Sequence, residues 1–362
     1  MMTEKNMMRA LKWHAAHDIR LEKIEVPTPK DNEVVVSVAY CGICGSDLHE
    51  YDSGPHAIPI EVPHKLSGSV APIVIGHEFC GTVVQVGSSV RNFKAGDRVS
   101  VEPEYRCQQC AYCETGSYNL CVSMGFAGLM GDGGMAEFAV IPAYMLHHLP
   151  DTVSFEQAAT FEPAAVALHA LRRAELKLGD TCAVFGLGPI GLLLVALAKL
   201  QGATTIVAVD VSEERLNSAK QAGATHVFNG REFDSHELVQ AIQAETNGLG
   251  VDVSFEAAGL NATLENGLQA LRKGGKLVMV GLMPEAKFNS FDMVNNELSL
   301  IASVGYRHVY EELIQLVANK MFDPSFIVTK VVPLECAVKD GFDALLEDRS
   351  QIKILVAPNL SS

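Results

Sequence analysis

The sequence predicts an α/β protein in which a doubly wound parallel sheet is joined to a second, β-rich domain. Three observations predict this class. Short apolar runs alternate with helical patterns in the second half, β-like segments separated by glycine and proline fill the first 150 residues, and the C-terminal tail returns to a strand-like pattern. Because single hydrophobic cores usually stop growing near ~250 residues, a chain of 362 residues should form about two domains.

Residues 8–150 have the pattern of short strands joined by irregular turns. Residues 34–39 form a β-branched run, and residues 82–86 form another between two glycines. Residues 50–75 are rich in proline and glycine, so we expect a long loop there. Long loops in compact domains often carry function.

The second half contains near-continuous apolar runs with helical patterns between most of them. Such runs indicate strands of a parallel sheet covered on both faces, and six of them fit a doubly wound sheet. The runs are residues 181–185, 205–209, 225–228, 251–255, 276–280 and 298–303.

The tail predicts a discontinuous first domain. Residues 305–362 have mixed character and end in the strand-like IKILVAP, so we expect them to rejoin the N-terminal region. The expected domains are therefore residues 1–158 with 305–362, and residues 159–304.

Composition excludes several classes of partner. Lys and Arg sum to 28 and Asp and Glu to 43, which gives a formal charge of −15. Such a surface repels phosphate backbones and anionic lipids, so we expect neither nucleic acid nor membrane as a partner. No segment approaches the ~18 consecutive apolar residues of a membrane span, and residues 1–7 resemble a short disordered lead rather than a signal peptide. The expected location is the cytoplasm.

A dinucleotide fingerprint follows the first apolar run of the second half. The sequence Gly186-Leu-Gly-Pro-Ile-Gly191 is a GxGxxG between a strand and an apolar helix. Its glycines would allow a tight turn, close approach of a pyrophosphate and close packing of helix on sheet. The residues expected to bind the cofactor here are Gly186, Gly188, Pro189, Ile190 and Gly191.

Asp210 ends the next strand, 19 residues after Gly191. A carboxylate there can accept hydrogen bonds from the adenosine ribose and would repel a 2′-phosphate, so NAD is favoured over NADP. Arg215 is placed near the adenine, although an exposed helix arginine is an equally good interpretation. The alternative to the whole fingerprint is a glycine-rich turn with a carboxylate that caps the next helix.

Four of the nine cysteines form a CxxCxxCx7C cluster. Closely spaced thiols on a loop suit a closed tetrahedral zinc site, and four ligands leave no open position, so this metal should be structural. An iron–sulfur cluster and unrelated thiols are the alternatives, but a bacterial ferredoxin run has a different spacing and a proline after its fourth cysteine. The cluster consists of Cys107, Cys110, Cys113 and Cys121.

A second, scattered set of residues has the composition of a catalytic zinc site. Cys44, His77 and Glu162 could provide the three protein ligands that leave one position for substrate. Spacing alone does not distinguish this from ordinary structure. Glu162 could be an acidic residue in a first helical turn, and His77 with Glu78 could be a buried hydrogen-bonded pair.

The ordered motifs resemble the zinc-containing medium-chain dehydrogenase/reductase family. They are CGICGSDLH at 41–49, GHE at 76–78, the cysteine cluster and GLGPIG at 186–191, and the resemblance covers nearly the whole chain from about residue 8. It implies a Rossmann NAD-binding domain and a GroES-like catalytic domain. Within the family, the long loop, FEPAAVAL, VGYR and SQIKILVAPN are most similar to the (R,R)-2,3-butanediol dehydrogenases.

The resemblance also implies roles for individual residues. Cys44, His77 and Glu162 match the catalytic zinc ligands of the polyol branch. Glu78 matches a glutamate that binds the metal in some relatives and stays behind it in others.

Two further residues, Ser46 and His49, match the family's proton relay. This relay runs from the substrate oxygen through the hydroxyl and the cofactor ribose to a solvent-facing imidazole. The catalytic set is thus Cys44, Ser46, His49, His77, Glu78 and Glu162.

The implied activity is reversible, NAD-dependent oxidation of a small secondary alcohol, with 2,3-butanediol and acetoin as the expected pair and two zinc ions per chain. A sorbitol- or threonine-type dehydrogenase is the first alternative, and a non-catalytic structural protein that kept the fold is the second. The last strand, near 298–304, offers an edge to a second copy, so we expect a homodimer or homotetramer.

Overall fold

The chain folds into two compact units. The computed structural model describes residues 7–360, so the predicted lead at residues 1–7 falls outside the description except for Met7, which begins a strand. The first unit runs through Glu162 and resumes at Tyr310, and the second runs from Pro163 to Val309. These divisions lie a few residues after those expected from the sequence, because the first falls inside helix α4 (Phe161–Ala174), whose first turn belongs to the first unit.

The first unit is built mainly from antiparallel strands. Its largest sheet has the order β10-β6-β5-β3-β18-β17, with β9 also paired to β3, and two smaller sheets have the orders β2-β1-β4 and β7-β8. The strands are β1 (Met7–Ala15), β2 (Asp18–Glu25), β3 (Glu33–Gly42), β4 (Ile73–Val74), β5 (Glu78–Val86), β6 (Arg98–Val101), β7 (Glu104–Tyr105), β8 (Gly125–Phe126), β9 (Phe138–Pro142), β10 (Leu146–His148), β17 (Val328–Pro333) and β18 (Lys353–Ala357).

Strand β18 brings the tail of the chain into this sheet, between β3 and the edge strand β17. It runs antiparallel to β3, with Leu355 opposite Gly42 and Val356 opposite Cys41. All five of its residues are buried, including Lys353. The tail therefore lies beside the end of β3, where the chain enters the segment that carries Cys44.

The second unit contains the six predicted strands, which are confirmed within a few residues, in one parallel sheet of order β13-β12-β11-β14-β15-β16. The order reverses between β11 and β14, the kind of switch point at which open α/β sheets bind ligands at the carboxyl ends of strands. The strands are β11 (Thr181–Phe185), β12 (Thr205–Asp210), β13 (His226–Asn229), β14 (Val251–Glu256), β15 (Leu271–Met279) and β16 (Ser299–Ala302).

One expectation about the first unit is wrong in detail. The long loop predicted for residues 50–75 begins later, because helix α1 (Gly45–Ser53) continues through Glu50 to Ser53. The helix begins with a reciprocal cap in which the Cys44 N–H donates to Asp47 Oδ2 over 2.9 Å, and its last residue precedes Gly54. The loop proper spans residues 54–72.

The remaining helices are short or cover the parallel sheet. They are α2 (Ala111–Glu114), α3 (Phe155–Ala158), α5 (Pro189–Gln201), α6 (Glu213–Ala222), α7 (Ser235–Ala244), α8 (Asn261–Gln269), α9 (Ser290–Asn295), α10 (Tyr310–Ala318) and α11 (Ala344–Glu347). A π-helix, Ala337–Asp343, leads directly into α11. Within residues 7–360, every helix is too short or too polar to span a lipid bilayer.

Candidate functional site: a dinucleotide turn and two cysteine-containing metal centres

The glycine turn after β11 has the geometry that the fingerprint requires. Gly186 has a φ of +89°, a left-handed conformation that favours glycine. A Cβ on Gly191 would lie 1.8 Å from the Gly186 carbonyl oxygen, so only glycine lets the helix approach the turn this closely. A Cβ on Gly188 would meet no protein atom within 4 Å, which leaves open space above its backbone. Pro189 begins helix α5, and Ile190 follows it.

Asp210 lies at the mouth of this turn. Its carboxylate accepts hydrogen bonds from the backbone N–H groups of Leu187 at 2.6 Å, Val211 at 2.7 Å and Ser212 at 3.0 Å. A carboxylate has about four acceptor positions, so a ribose hydroxyl can still donate to it. The bonds to Val211 and Ser212 also give Asp210 the capping role of the alternative interpretation. Arg215 is half-buried in α6.

Glu256 is a residue of this region that sequence reasoning missed. It ends β14, is fully buried, and its Oε1 accepts hydrogen bonds from Ala258 N at 2.9 Å, Gly259 N at 2.8 Å and Thr263 Oγ1 at 2.7 Å. A Cβ on Gly186 would lie 2.8 Å from Ala258, so the loop that Glu256 holds packs against the glycine turn. The sequence signal was a glutamate at the carboxyl end of a strand of the parallel sheet.

The four cysteines of the CxxCxxCx7C cluster come together, with all sulfur atoms within 4.8 Å of one another. Cys107 and Cys110 lie 3.9 Å and 3.6 Å from Cys113, sulfur to sulfur. A tetrahedral zinc with Zn–S bonds of ~2.3 Å separates its ligands by about 3.8 Å, so the spacing fits one such ion. Hydrogen bonds, first from the Val122 backbone, lower the pKa of Cys110 to about 6 and favour its thiolate, whereas burial and the neighbouring thiols raise the pKa of Cys113 to about 12.

The scattered set forms a second cluster around the start of helix α1. One ligand atom each from Cys44, His77 and Glu78 lies within 4.8 Å of the others. Cys44 caps α1, His77 directly precedes β5 and Glu78 begins that strand, so two separate segments of the chain position the three donors. Glu162 is buried in the first turn of α4 but does not belong to this triplet.

His77 is oriented by Asp47. Its Nδ1 lies 3.3 Å from Asp47 Oδ1, and its Nε2 lies 3.3 Å from Ser46 Oγ. Burial opposes protonation, yet the charges of Asp47 and Cys44 hold the pKa of His77 well above its ordinary value. The same negative charges would stabilise a divalent cation. A ligating histidine whose other nitrogen faces a carboxylate is the arrangement that fixes its tautomer in metal sites.

Glu78 is engaged by a buried lysine. Lys353 Nζ lies 2.7 Å from both carboxylate oxygens and donates to the Ile43 carbonyl over 2.9 Å. Lys353 is 1% exposed and Glu78 0%. Burial alone would lower the pKa of Lys353, but the negative charges of Glu78, Cys44 and Glu162 raise it above its ordinary value.

Ser46 and His49 lie three residues apart on α1, so they share a face of the helix. Ser46 is half-buried beside His77, whereas His49 is exposed. The pair thus extends from the metal cluster towards solvent, as a proton path requires.

Sequence reasoning missed the residues behind the ligands. Asp47 stands inside the recognised GSD motif, and its position three residues after Cys44 was the available signal. Lys353 stands inside SQIKILVAPN, where a lysine in an apolar strand could have indicated a buried ion pair. Its partner is 275 residues away in sequence, so no local pattern could identify it.

A turn built for a dinucleotide, a four-cysteine metal site and a Cys/His/Glu cluster together define a zinc-dependent alcohol or polyol dehydrogenase. Family models agree. The zinc-binding dehydrogenase model matches residues 189–319, and the alcohol dehydrogenase GroES-like domain model matches residues 30–151. The chain belongs to the zinc-binding medium-chain dehydrogenase family, whose enzymes act on small-molecule alcohols with a nicotinamide cofactor.

Individual relatives match over almost the full length. The chain is 43% identical over 354 residues to (R,R)-butanediol dehydrogenase of Bacillus subtilis. The aligned region covers 97% of this chain and 100% of that one. It is 38% identical to sorbitol dehydrogenase of the same organism, over 97% of this chain and 98% of that one. The crystal structure of 2R,3R-butanediol dehydrogenase from B. subtilis matches with a TM-score of 0.91 and 42% identity, over 97% of this chain and 100% of that one.

Proposed function

We propose that this protein interconverts (R,R)-2,3-butanediol and acetoin with NAD. The observation that carries the proposal is the 43% identity to a butanediol dehydrogenase over 97% of the chain, together with a TM-score of 0.91 to a structure of that enzyme class. The same activity on acetoin/diacetyl and related vicinal diols is part of the proposal. Sorbitol dehydrogenase, at 38% identity, is the second candidate.

In this proposal, Cys44, His77 and Glu162 would hold the catalytic zinc, and Glu78, whose carboxylate lies within 4.8 Å of the Cys44 and His77 donor atoms, would be an outer or exchanging ligand. The Lys353 ammonium beside both oxygens of Glu78 supports an outer position for that carboxylate. When bound, zinc supplies Lewis acidity towards the substrate oxygen, and the nicotinamide supplies the hydride acceptor.

The chain's own residues supply orientation and a route for the proton. Asp47 holds the His77 ring, and Ser46 is positioned to receive the proton that leaves the substrate hydroxyl. His49, exposed on the same helix face, passes that proton outwards. General acid–base groups placed in this way typically contribute ~10²–10⁴-fold to a rate.

NAD is the proposed cofactor, bound by Gly186, Gly188, Pro189, Ile190 and Gly191, with Arg215 beside the adenine. The open space above Gly188 supports a pyrophosphate there, near the amino end of α5, where unpaired N–H groups favour an anion. Asp210 supports NAD over NADP, because a second negative charge on the ribose would meet its carboxylate.

The loop at residues 54–72 is among the features that resemble the butanediol branch, and its contacts favour a fixed conformation. In the described part of the chain it is held at both ends. The buried Glu50 carboxylate accepts N–H groups of His56 and Ile58, and the Ser67 hydroxyl donates to the Met130 carbonyl. A loop held in this way can act as a fixed wall of a small substrate pocket.

A kinetic panel tests the substrate proposal. We compare kcat/KM, with NAD and with NADP, for four kinds of substrate: the stereoisomers of 2,3-butanediol, and acetoin, sorbitol and threonine. We expect (R,R)-2,3-butanediol and acetoin to be preferred, and NAD to be preferred over NADP. Higher kcat/KM for sorbitol or threonine would replace the butanediol assignment, and a preference for NADP would contradict the role of Asp210.

Elemental analysis tests the two metal centres separately. We expect two zinc ions per chain, one fewer in Cys107→Ser, and loss of turnover in Cys44→Ser with the four-cysteine zinc retained. A single zinc ion in the native protein, lost on Cys107→Ser while activity persists, would contradict a catalytic zinc at Cys44.

We also propose that the chain forms a homodimer or homotetramer through the edge of the parallel sheet. β16 pairs with β15 on one side, and apolar side chains near it, Phe291 and Val294, are 71% and 77% exposed. Light scattering is expected to give two or four times the mass of 38.9 kDa. A monomer across micromolar concentrations would contradict this assembly.

A further inference from the structure

A second histidine stands beside the proposed end of the proton path. The rings of His49 and His56 have centroids 6.5 Å apart and meet edge to face at 75°. Both side chains are exposed. His56 Nε2 lies 3.0 Å from Ser53 Oγ, and that hydroxyl is 3.5 Å from the His49 carbonyl.

The fold holds His56 in this place. After α1 ends at Ser53, the chain turns back, and the Glu50 carboxylate accepts the His56 N–H at 3.0 Å and 3.2 Å from its two oxygens. Glu50 is 1% exposed, and its carbonyl accepts the Trp13 indole N–H over 2.8 Å. A buried carboxylate, on a residue whose own backbone is anchored by Trp13, therefore fixes the backbone that carries His56.

The turn between the two histidines also excludes larger residues. A Cβ on Gly54 would lie 2.5 Å from both the Glu50 carbonyl and its Oε2. The close return of the chain, and with it the proximity of the two rings, is thus built into the packing around Glu50.

We propose that His56 acts through His49 as the next proton carrier, taking the proton from the His49 imidazole and releasing it to solvent. This inference rests on the proposed alcohol oxidation, which releases one proton per turnover. The substrate O–H bond breaks, and the proton passes to Ser46, through the cofactor ribose to His49, and then to His56 and bulk water, while the hydride goes to the nicotinamide. Two hydrogen bonds of about 2.8 Å each allow one solvent molecule to bridge imidazoles at this separation. Ketone reduction uses the same groups in reverse.

Proton release in a single turnover tests the role of His56 directly. Each protein is mixed separately with NAD and the best alcohol of the kinetic panel, in weak buffer that contains a pH indicator. The proteins are the wild type, His56→Gln, His49→Gln and the control His236→Gln. The control replaces an exposed histidine on α7, in the second unit. NADH absorbance and indicator colour then report hydride transfer and proton release separately.

His56→Gln is expected to slow proton release about three- to tenfold in weak buffer, less than a direct general base because it acts through His49. Added imidazole should restore the rate, which a merely structural defect would not allow. His236→Gln should match wild type. Ser53→Ala, which frees the His56 ring but keeps the Glu50 anchor, should slow release by a smaller factor and serves if His56→Gln fails to fold.

Two failures are distinguishable. Wild-type proton release in both His56→Gln and Ser53→Ala at low buffer, or slow release that imidazole does not restore, would overturn the role of His56. If the protein instead oxidises another alcohol better than butanediol, only the proposed substrate is wrong, because the proton test uses whichever alcohol the panel selects.

Discussion

Replacement of Lys353 by methionine removes one charge from the buried Lys353–Glu78 pair. Nζ lies 2.7 Å from both carboxylate oxygens, and the side chains of Lys353 and Glu78 are 2% and 0% exposed. Methionine is close to lysine in length and apolar, so the main change is the loss of the positive charge. Glu78 is then left as a buried carboxylate without its cation.

Breaking a buried ion pair by removing one partner costs about 3–5 kcal/mol, because the remaining charge is uncompensated. For a folding unit of roughly 200 residues, each kcal/mol lowers Tm by about 2–4 °C. Together these values predict that Lys353→Met lowers the Tm of the first unit by about 6–20 °C.

The assay is thermal unfolding of the zinc-loaded protein, followed by circular dichroism. Lys330→Met is the matched control, because Lys330 lies on the neighbouring strand β17 and pairs with Asp340 at 3.7 Å while both side chains stay partly exposed. An exposed pair contributes ~0–1 kcal/mol, so the control should shift Tm little. The double variant Glu78→Gln/Lys353→Met removes both charges and should recover part of the loss.

Two results would refute the reasoning. The first is a Tm for Lys353→Met within 2 °C of the Lys330→Met control. The second is a double variant destabilised by the sum of its single changes, which would mean that the two groups do not interact. Either result would also remove the support for Glu78 as a carboxylate behind the metal rather than a ligand.

Three further predictions follow from the same structure. Asp47→Asn should weaken zinc binding or turnover about 10–100-fold, measured by chelator competition and kinetics, because the His77 ring loses its charged partner. Gly188→Ala should fold normally, since its Cβ meets no protein atom, but raise the KM for NAD at least ~10-fold by filling the space above the turn. Burial alone would lower the pKa of His147, but its two glutamate partners raise it to about 9. A raised folded-state pKa stabilises the protein below the unfolded value of 6.5, so the Tm difference between wild type and His147→Gln should be full near pH 6 and vanish as pH rises through about 9.

The parallel sheet could be predicted almost completely from the sequence. Its inner strands β11, β12 and β14 are mostly buried, so each appears as a largely apolar run that can be recognised without distant information. The strand predicted at 276–280 was too short only because β15 begins at Leu271, where charged residues and two glycines break the apolar pattern. The glycine turn was equally predictable, because the three glycines that a dinucleotide turn needs all lie within the six residues 186–191.

The two metal clusters differ in how far apart their ligands are along the chain, and this decided which of them could be predicted. The four cysteines lie within fifteen residues, and their spacing alone indicated one tetrahedral ion. Cys44 and His77 lie near the ends of different strands. Their spacing in the sequence therefore did not identify them as metal ligands, and only the ordered family motifs did. The start of the long loop was misplaced because composition marks Glu50 as a polar loop residue, whereas it is a buried helix residue.

Glu50, Asp47, Glu78 and Lys353 are each at most 1% exposed, and each was invisible to hydropathy because charged residues are assigned to the surface by default. Burying a charge is unfavourable unless it is paired or hydrogen-bonded, so a fold retains such residues where their partners matter. Here Glu50 pairs with the backbone of the His56 turn, and Asp47 pairs with the ring of His77. Glu78 and Lys353 pair with each other beside Cys44. Of the four, Lys353 had the clearest signal in the sequence, because it begins the otherwise apolar strand KILVA, whereas Asp47 and Glu50 lie among the polar residues of α1.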